Sequence, residues 1–438
     1  MEGQLADSLR AVIADSLAAA LPDLTQRDTR VPGVAGKAIA VIGMRRSGKT
    51  CFLWQLLADR LARRAPRESL LFINFEDERL AGITGAQLGL LLEEYFRAHP
   101  ELRTHRVGLF FDEIQVVPGW ERFVRRVLDS ERAEVFLSGS SARLLSREVA
   151  TSMRGRAMEA LVHPFSFREF LRHVGREPER EARRLASAAR ATLERDLRLY
   201  LGQGGFPKSV GVRDARDRRD LLRSYVDVAL LRDVIERHEV THPVALRWLT
   251  RHLLGNAAGT FSVSKLYGDL RSQGLPVSKD TLHAYLAHLE DAFLVRPLSV
   301  ATSSERRRMV NPRKIYPIDP GLIPLFDRMG RANLGHALET CVLLELERRG
   351  CDVAYVRTAD GCEVDFLAHH AGGRTELIQV CADLADSATR DRELRALEAA
   401  RSEHRGASAL VVSLSPEAPR DLPRGVRFAA ASSWLLGE

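Results

Sequence analysis

The chain has 438 residues, is 45% hydrophobic and 28% charged, and carries a formal net charge of +7 with a pI near 9.4. That length predicts two to four domains with substantial cores, and the ordinary apolar content excludes disordered and fibrous classes. No apolar run reaches the roughly 18 residues of a membrane span. The five cysteines, Cys51, Cys341, Cys351, Cys362 and Cys381, form no C-x-x-C pair, so neither a disulfide framework nor a zinc site is suggested.

The opening run MEGQLADSLRAVIADSLAAALPDL reads as an acid-containing amphipathic helix rather than a signal peptide, so residues 1–36 are expected to be a helix and linker in a cytoplasmic protein. From Ala38 to about Phe165 short apolar runs alternate with helical patterns. The runs are Ala38–Ile42, Leu70–Phe75, Val107–Phe111, Val135–Leu137 and Ala157–Val162, the signature of a parallel sheet covered by helices, with the nucleotide-binding core placed at 37–170.

Within it, Gly43-Met44-Arg45-Arg46-Ser47-Gly48-Lys49-Thr50 fits G-x-x-x-x-G-K-[ST]. Glycines let backbone N–H groups close around phosphates, and the compact lysine ammonium reaches where arginine's planar fork does not fit. The chain uses 59 arginines and only six lysines, so a lysine kept here is informative. Gly43, Arg46, Ser47, Gly48, Lys49, Thr50 and Cys51 are the expected ATP cradle, at the N-terminus of a helix. The run RVGLFFDEIQ ends in Asp112-Glu113: Thr50 and Asp112 are the expected Mg²⁺ group and Glu113 the base that orients water. Ser138 and Ser140 follow the next strand, where a hydroxyl suits contact with the attacking water or the phosphate. Arg156 and then Arg154 are candidate fingers acting across a subunit boundary.

Residues 171–240 read as a helical lid, broken at Gly204-Gly205 and Pro207. Residues 241–325 have a winged-helix rhythm. One helix spans Ser264 to Ser272, and Ser278 caps a second with Leu282, Leu286 and Leu289 inward and Lys279, Asp280, His283 and His288 outward. A basic hairpin would form the wing, with Arg306, Arg307, Arg308, Arg313 and Lys314 on DNA phosphates. The tail, 326–438, reads as a separate small α/β domain: a helix over Arg331 to Arg349, strands at Val353–Arg357, Glu363–Ala368 and Glu376–Cys381, a helix over Thr389–Ser402 and a strand at Ala409–Leu414.

The runs GMRRSGKT, FFDEIQVVPGWE, FLSGSSARLLSRE, RGR, HPFSFREF and GGFP together resemble a widespread bacterial and archaeal family of AAA-type ATPases. Its C-terminal region, a domain of unknown function, combines a winged helix with a restriction-endonuclease-like tail, and the likeness runs from about Lys37 to Ala400. The resemblance implies a nucleotide-responsive lid near Gly205, Phe206 and Pro207, DNA-related roles and ring assembly. Sites in such tails need a helix glutamate, a strand aspartate and an acid-x-lysine on the next strand. Glu339, Glu363 and Asp365 supply the acids, but Gln379-Val380-Cys381 stands where the lysine belongs, and no lysine occurs after Lys314. The tail is therefore expected to be a degenerate nuclease site, still able to bind a metal or touch DNA.

The leading expectation is an α/β P-loop enzyme, an Mg²⁺-dependent ATPase that binds and remodels or translocates on DNA as an oligomer. An ATP-dependent switch that binds DNA or a protein, with slow hydrolysis, is the alternative, and an ATP-regulated nuclease the weaker one.

Overall fold

The five apolar runs of the N-terminal part close into one sheet. In the computed structural model, which describes residues 2–139, 153, 155–310, 312–327 and 333–437, they form β1 (Ala38–Ile42), β2 (Leu70–Asn74), β3 (Val107–Asp112), β4 (Ala133–Ser138) and β5 (Ala157–Leu161). All pair in parallel, in the order β2-β3-β4-β1-β5. Helices on both faces explain why β1 and β3 read as unbroken apolar runs: every residue of each is buried. The core joins Ile39 and Val41 to Phe52, Leu53, Leu56 and Leu57 of α2 (Lys49–Ala62) and to Phe110 and Phe136, whose rings stack at 4.9 Å. In chain order β2 lies between the phosphate loop and the acidic strand; in space it is β4 that separates β1 from β3, which opens a crevice at their C-terminal ends.

The N-terminal helix is not a detached segment. Helix α1 (Glu2–Ala18) buries Leu9, Val12 and Ile13 and packs on β2 and on α3 (Leu88–Ala98). It belongs to a compact unit spanning Met1–His163, and Pro164–Glu438 forms a second unit.

The second unit does not divide into a lid and a separate tail as expected. Helices α4 (Phe167–His173), opened by a reciprocal Ser166/Glu169 cap, and α5 (Ser187–Gln203) bury Phe167, Phe170, Leu197 and Tyr200 in one core with the tail helix α6 (Leu334–Arg348) and Trp434. Leu338 and Val342 of α6 are fully buried in that core.

The two helices expected within residues 264–291 form. Helix α7 (Val263–Ser272) precedes α8 (Lys279–Asp291), whose first turn is capped by Ser278 Oγ, which accepts from Thr281 N at 3.0 Å. Leu282, Leu286 and Leu289 are buried. Strands β6 (Thr260–Phe261), β7 (Val295–Leu298) and β8 (Arg313–Pro317) pair antiparallel in the order β6-β8-β7. The expected basic hairpin instead contains a short helix, α9 (Glu305–Val310), because Ser304 Oγ accepts from Arg307 N and the Glu-Arg-Arg-Arg run favours helix.

The tail sheet runs β13-β12-β11-β10-β9, from β9 (Asp352–Arg357), β10 (Glu363–His369), β11 (Thr375–Cys381), β12 (Ser408–Ser413) and β13 (Val426–Ala430). Strands β9 to β11 are antiparallel and β11 to β13 parallel, with the crossover made by α10 (Ser387–Glu403). The sequence pattern does not announce β13, a strand whose residues are mostly only half-buried.

Candidate functional sites

The loop after β1 has the backbone its residue types demand. Gly43 adopts φ 148°, and a Cβ there would lie 2.3 Å from the Val162 carbonyl oxygen. Gly48 opens α2 with φ 101°. Lys49 is buried and donates to the carbonyls of Gly43 and Met44, both at 3.1 Å, so its ammonium spans the mouth of the loop. Ser47 Oγ is buried with no hydrogen-bond partner among the described residues. An orphaned hydroxyl beside a lysine, at the start of a helix, fits a bound phosphate. Arg46, Thr50 and Cys51 are the exposed members of the cradle.

The acidic pair sits across the crevice at the end of β3. Asp112 is buried and accepts hydrogen bonds from the Thr50 and Ser138 hydroxyls; burial outweighs these bonds and pushes its carboxyl up from the ordinary aspartate range. Ser138 Oγ also accepts from Glu113 N at 3.0 Å. One buried hydroxyl thus holds both acids, donating to Asp112 and accepting from Glu113 N. Glu113 lies in the left-handed region at φ 51°, costly for a non-glycine residue and concentrated at functional positions. Gln115 donates to its carboxylate.

Ser140 and Arg154 lie outside the described residues. Arg156 pairs with Asp129, just before β5, and its carbonyl accepts from Ala38 N at the entry of β1. It therefore stands at the opposite end of the sheet from its own phosphate loop, about five strand residues or roughly 16 Å away. From there it does not reach the phosphate loop of its own sheet. Gly205 and Pro207 belong to the second unit, where Gly205 N donates to buried Asp319 at 2.7 Å. Burial pushes the Asp319 carboxyl up to about 7, against hydrogen bonds from Gly205 and Gly321.

The candidate DNA contacts separate into two groups. Arg306, Arg307 and Arg308 are exposed on α9, Lys279 is exposed at the start of α8, and Arg313 is half-buried. Lys314 is not a wing contact: it is 3% exposed, and its Nζ lies 2.7 Å from Glu339, 3.0 Å from Glu363 and 3.0 Å from Asp365. Tyr316, two residues along the same strand, donates to Glu339 at 2.6 Å. The tail's acids therefore do have a lysine, supplied by β8 rather than by β11, and the ground for calling the site degenerate falls.

Gln379 and Cys381 occupy the positions read from sequence. Gln379 donates to Asp365 at 3.0 Å and to Glu393 at 2.6 Å, and its Oε1 is buried without a partner among the described residues. Cys381 donates to the Asp383 carbonyl at 3.0 Å. Glu339, Glu363, Asp365 and Gln379 line a cavity of about 750 Å³. The three carboxylates hold Lys314 in its charged form, above the usual lysine range, while burial and Asp365 push Glu339 up.

Arg27 is a site residue that the sequence does not single out. It is buried, donates to the Ser47 carbonyl at 3.0 Å and to the His163 carbonyl, and its backbone exchanges hydrogen bonds of 2.7 and 3.1 Å with Gln55 of α2. The supposed linker is thus strapped to the phosphate loop. A lone arginine among so many gives no local signal.

Residues 35–171 match the AAA domain family, and residues 194–331 match a domain of unknown function, DUF8612. The chain is 34% identical over 394 residues to uncharacterized protein MJ1544 of Methanocaldococcus jannaschii, covering 89% of this chain and 84% of that one. It is 30% identical over 332 residues to an uncharacterized protein of Haemophilus influenzae, covering 76% and 79%. Among solved structures it is similar to the Walker-type ATPase PABY2304 of Pyrococcus abyssi, with 16% identity, 74% of this chain and 95% of that one covered, and a TM-score of 0.42. No helix among the described residues is long and apolar enough to cross a membrane. With a phosphate loop, an acid pair at the end of β3 and relatives alike over most of their length, the chain belongs to the same AAA-type P-loop ATPase family as MJ1544, and in this chain DUF8612 follows the AAA domain.

Proposed function

We propose that the protein hydrolyses ATP with Mg²⁺ and uses the cycle to bind and remodel or move along DNA, as an oligomer. The observation that carries the hydrolytic part is the Ser138 hydroxyl, which holds Asp112 and Glu113 together beside Thr50 and Lys49. Lys49 and the N–H groups after Gly43 bind the phosphates, and Thr50 and Asp112 are the residues that would hold Mg²⁺. Bound with ATP, the ion neutralises charge on the phosphate oxygens. Glu113, fixed by its backbone bond to Ser138 and by Gln115, orients the water. Arg156 serves a neighbour's phosphate once Asp129 releases it.

The test is Glu113→Gln, which keeps ATP affinity and slows turnover by roughly 10²-fold or more, set beside Lys49→Ala, which loses nucleotide binding. Wild-type turnover in Glu113→Gln overturns the assignment. For DNA, the triple change Arg306→Ala, Arg307→Ala and Arg308→Ala flattens the salt dependence of duplex affinity by up to about three phosphate contacts, each worth about 0.9 log unit per tenfold salt. A wild-type protein that binds no duplex, single-stranded or branched DNA at low salt leaves the protein-directed switch in place of the DNA reading.

A second reading is favoured by Lys314. A helix glutamate, a strand aspartate and an ammonium held at 2.7–3.0 Å, with the unused Gln379 oxygen beside them, suit a divalent cation and a phosphodiester. Lys314, set among these carboxylates, would lie beside the bound phosphate. Mn²⁺ binding and DNA cleavage, both lost in Asp365→Asn and both retained in Asp112→Asn, are the expected results. No cleavage of any of the three DNA forms returns the tail to a binding role.

A further inference from the structure

Two cavities of the second unit adjoin along the helix Pro243–Gly255. One, of about 450 Å³, lies between this helix and the helix Ala215–Val228, and is lined by Arg223, Arg247 and Arg251 with Leu325 and Phe326. The other, of about 620 Å³, is lined by Trp248 and Asn256 and again by Arg251 and Phe326, so the two run into one groove. The helix Ala215–Val228 passes without a break into eight residues of π-helix, Ala229–Glu236, and Leu230 of that segment lines the groove too. Such segments are frequent at functional positions.

In LRWLTRHLLG the core takes Leu246, Leu249, Leu253 and Leu254, which leaves Arg247, Trp248 and Arg251 on the outer face. The two arginines stand one turn apart with the indole between them. Trp248 is 39% exposed and has no ring neighbour among the described residues; Arg247 and Arg251 have no hydrogen-bond or ion-pair partner among them. Val244, one turn before Trp248, is exposed with it. Arg223 donates to the Leu325 carbonyl at a long 3.4 Å. Asp227 and Asp327 are the acids of the lining, outnumbered by the three guanidiniums. We propose that the groove takes single-stranded nucleic acid, with a base stacked on Trp248 and the phosphates along Arg223, Arg247 and Arg251. Cationic walls beside an open aromatic face are what a single strand needs, whereas the bases of a duplex are already stacked on one another. A carboxylate in such a groove accepts from base amino groups. An acidic peptide would satisfy the arginines and leave the indole face unused. The inference rests on the DNA part of the proposed function and adds to it a surface distinct from the arginines of α9.

The test titrates the full chain with oligo(dT) of about 12 nucleotides and reads tryptophan fluorescence. Trp248 is the one exposed tryptophan of four, so stacking should quench it. Trp248→Ala should weaken oligo(dT) by at least about 5-fold, the lower end of what one stacked base is worth. Trp248→Phe should keep most of the affinity and lose the quenching. Arg247→Gln with Arg251→Gln should flatten the salt dependence by up to about 1.4 log units per tenfold salt, two contacts at about 0.7 each. Duplex affinity should be unchanged in Trp248→Ala. A strand of the same length without bases, and polyglutamate, should leave the fluorescence alone. A wild type that binds duplex but not oligo(dT), or oligo(dT) affinity unchanged in Trp248→Ala, overturns the proposal and leaves the DNA reading intact. Binding of neither DNA overturns both. Equal quenching by polyglutamate gives the groove to an acidic protein, and a changed subunit number in Trp248→Ala with oligo(dT) affinity kept gives it to a second copy; either result overturns the proposal.

Discussion

Replacing Lys314 by methionine keeps an unbranched apolar stem one heavy atom shorter and removes the terminal ammonium with its charge and donors. The ammonium lies within 3.0 Å of three carboxylates, and Glu339 and Asp365 are themselves about nine-tenths buried. At an effective dielectric near 20, each contact at that distance carries about 5 kcal/mol of attraction, most of it offset by the cost of desolvating the charges. The variant leaves behind two adjacent buried carboxylates with no counter-charge, a change that costs about 3–5 kcal/mol in comparable pairs. A lysine on an exposed wing would cost no more than about 0.5 kcal/mol. Equilibrium urea unfolding of Lys314→Met measures the loss. Hydrogen exchange localises it, because Val380 N donates to Asp365 at 2.9 Å and its amide should lose protection first. Adding Glu339→Gln and Asp365→Asn to Lys314→Met should recover about 2 kcal/mol or more, since the carboxylates no longer need a cation. A loss below about 1 kcal/mol, or a triple variant no more stable than the single one, refutes the buried cage.

Gly43→Ala should displace the phosphate loop, because its Cβ would come within 2.3 Å of the Val162 oxygen at φ 148°; calorimetric titration with Mg-ATP is expected to show at least about a 10-fold loss of affinity, and unchanged affinity counts against the loop geometry. Arg27→Met should leave the Ser47 and His163 carbonyls without their donor and cost about 1–3 kcal/mol in thermal unfolding, with weaker nucleotide binding as the local signature. Asp319 holds its proton to about 7 when folded, whereas an unfolded aspartate loses it near about 3.9, so its stabilising contribution is complete below that lower value and disappears as pH rises to about 7. Urea unfolding from pH 4 to 8 should show a shallower fall in Asp319→Asn than in the wild type, and identical slopes reject that origin.

The ATPase half is legible because its chemistry is consecutive in the chain. A strand, a glycine turn, Lys49 and a helix succeed one another, and Asp112 sits at the last residue of an apolar strand, so hydropathy and spacing suffice. Ser278 is readable as a cap for the same local reason. The positioning role of Ser138 is not, since it depends on β4 lying between β1 and β3 in space. Arg306 to Arg308 read as a hairpin because arginine says nothing about backbone state, while the cap that nucleates α9 is a single serine. Lys314 is misplaced for a deeper reason. A lysine in a strand beside Arg313 reads as solvated, and its partners Glu339 and Asp365 become neighbours only after β8 has paired with β6 and β7 and the tail has folded onto it. Its scarcity is the available clue, and it applies to Lys314 as much as to Lys49.

Strand β8 is hydrogen-bonded to the winged sheet through its backbone, with Lys314 paired directly to Thr260, while the same residue's side chain ends among the acids of the tail. One residue therefore belongs to both sheets' surroundings at once. Contacts of 2.7–3.0 Å stand close to the limit near about 3.5 Å at which a hydrogen bond is lost, so a bend of the β6-β8-β7 sheet larger than the lysine stem can absorb shifts the ammonium off its carboxylates. Should the acid pocket take a cation, reciprocity requires that whatever seats on the β6-β8-β7 sheet and bends it alter cation affinity by the same factor with which the cation alters seating.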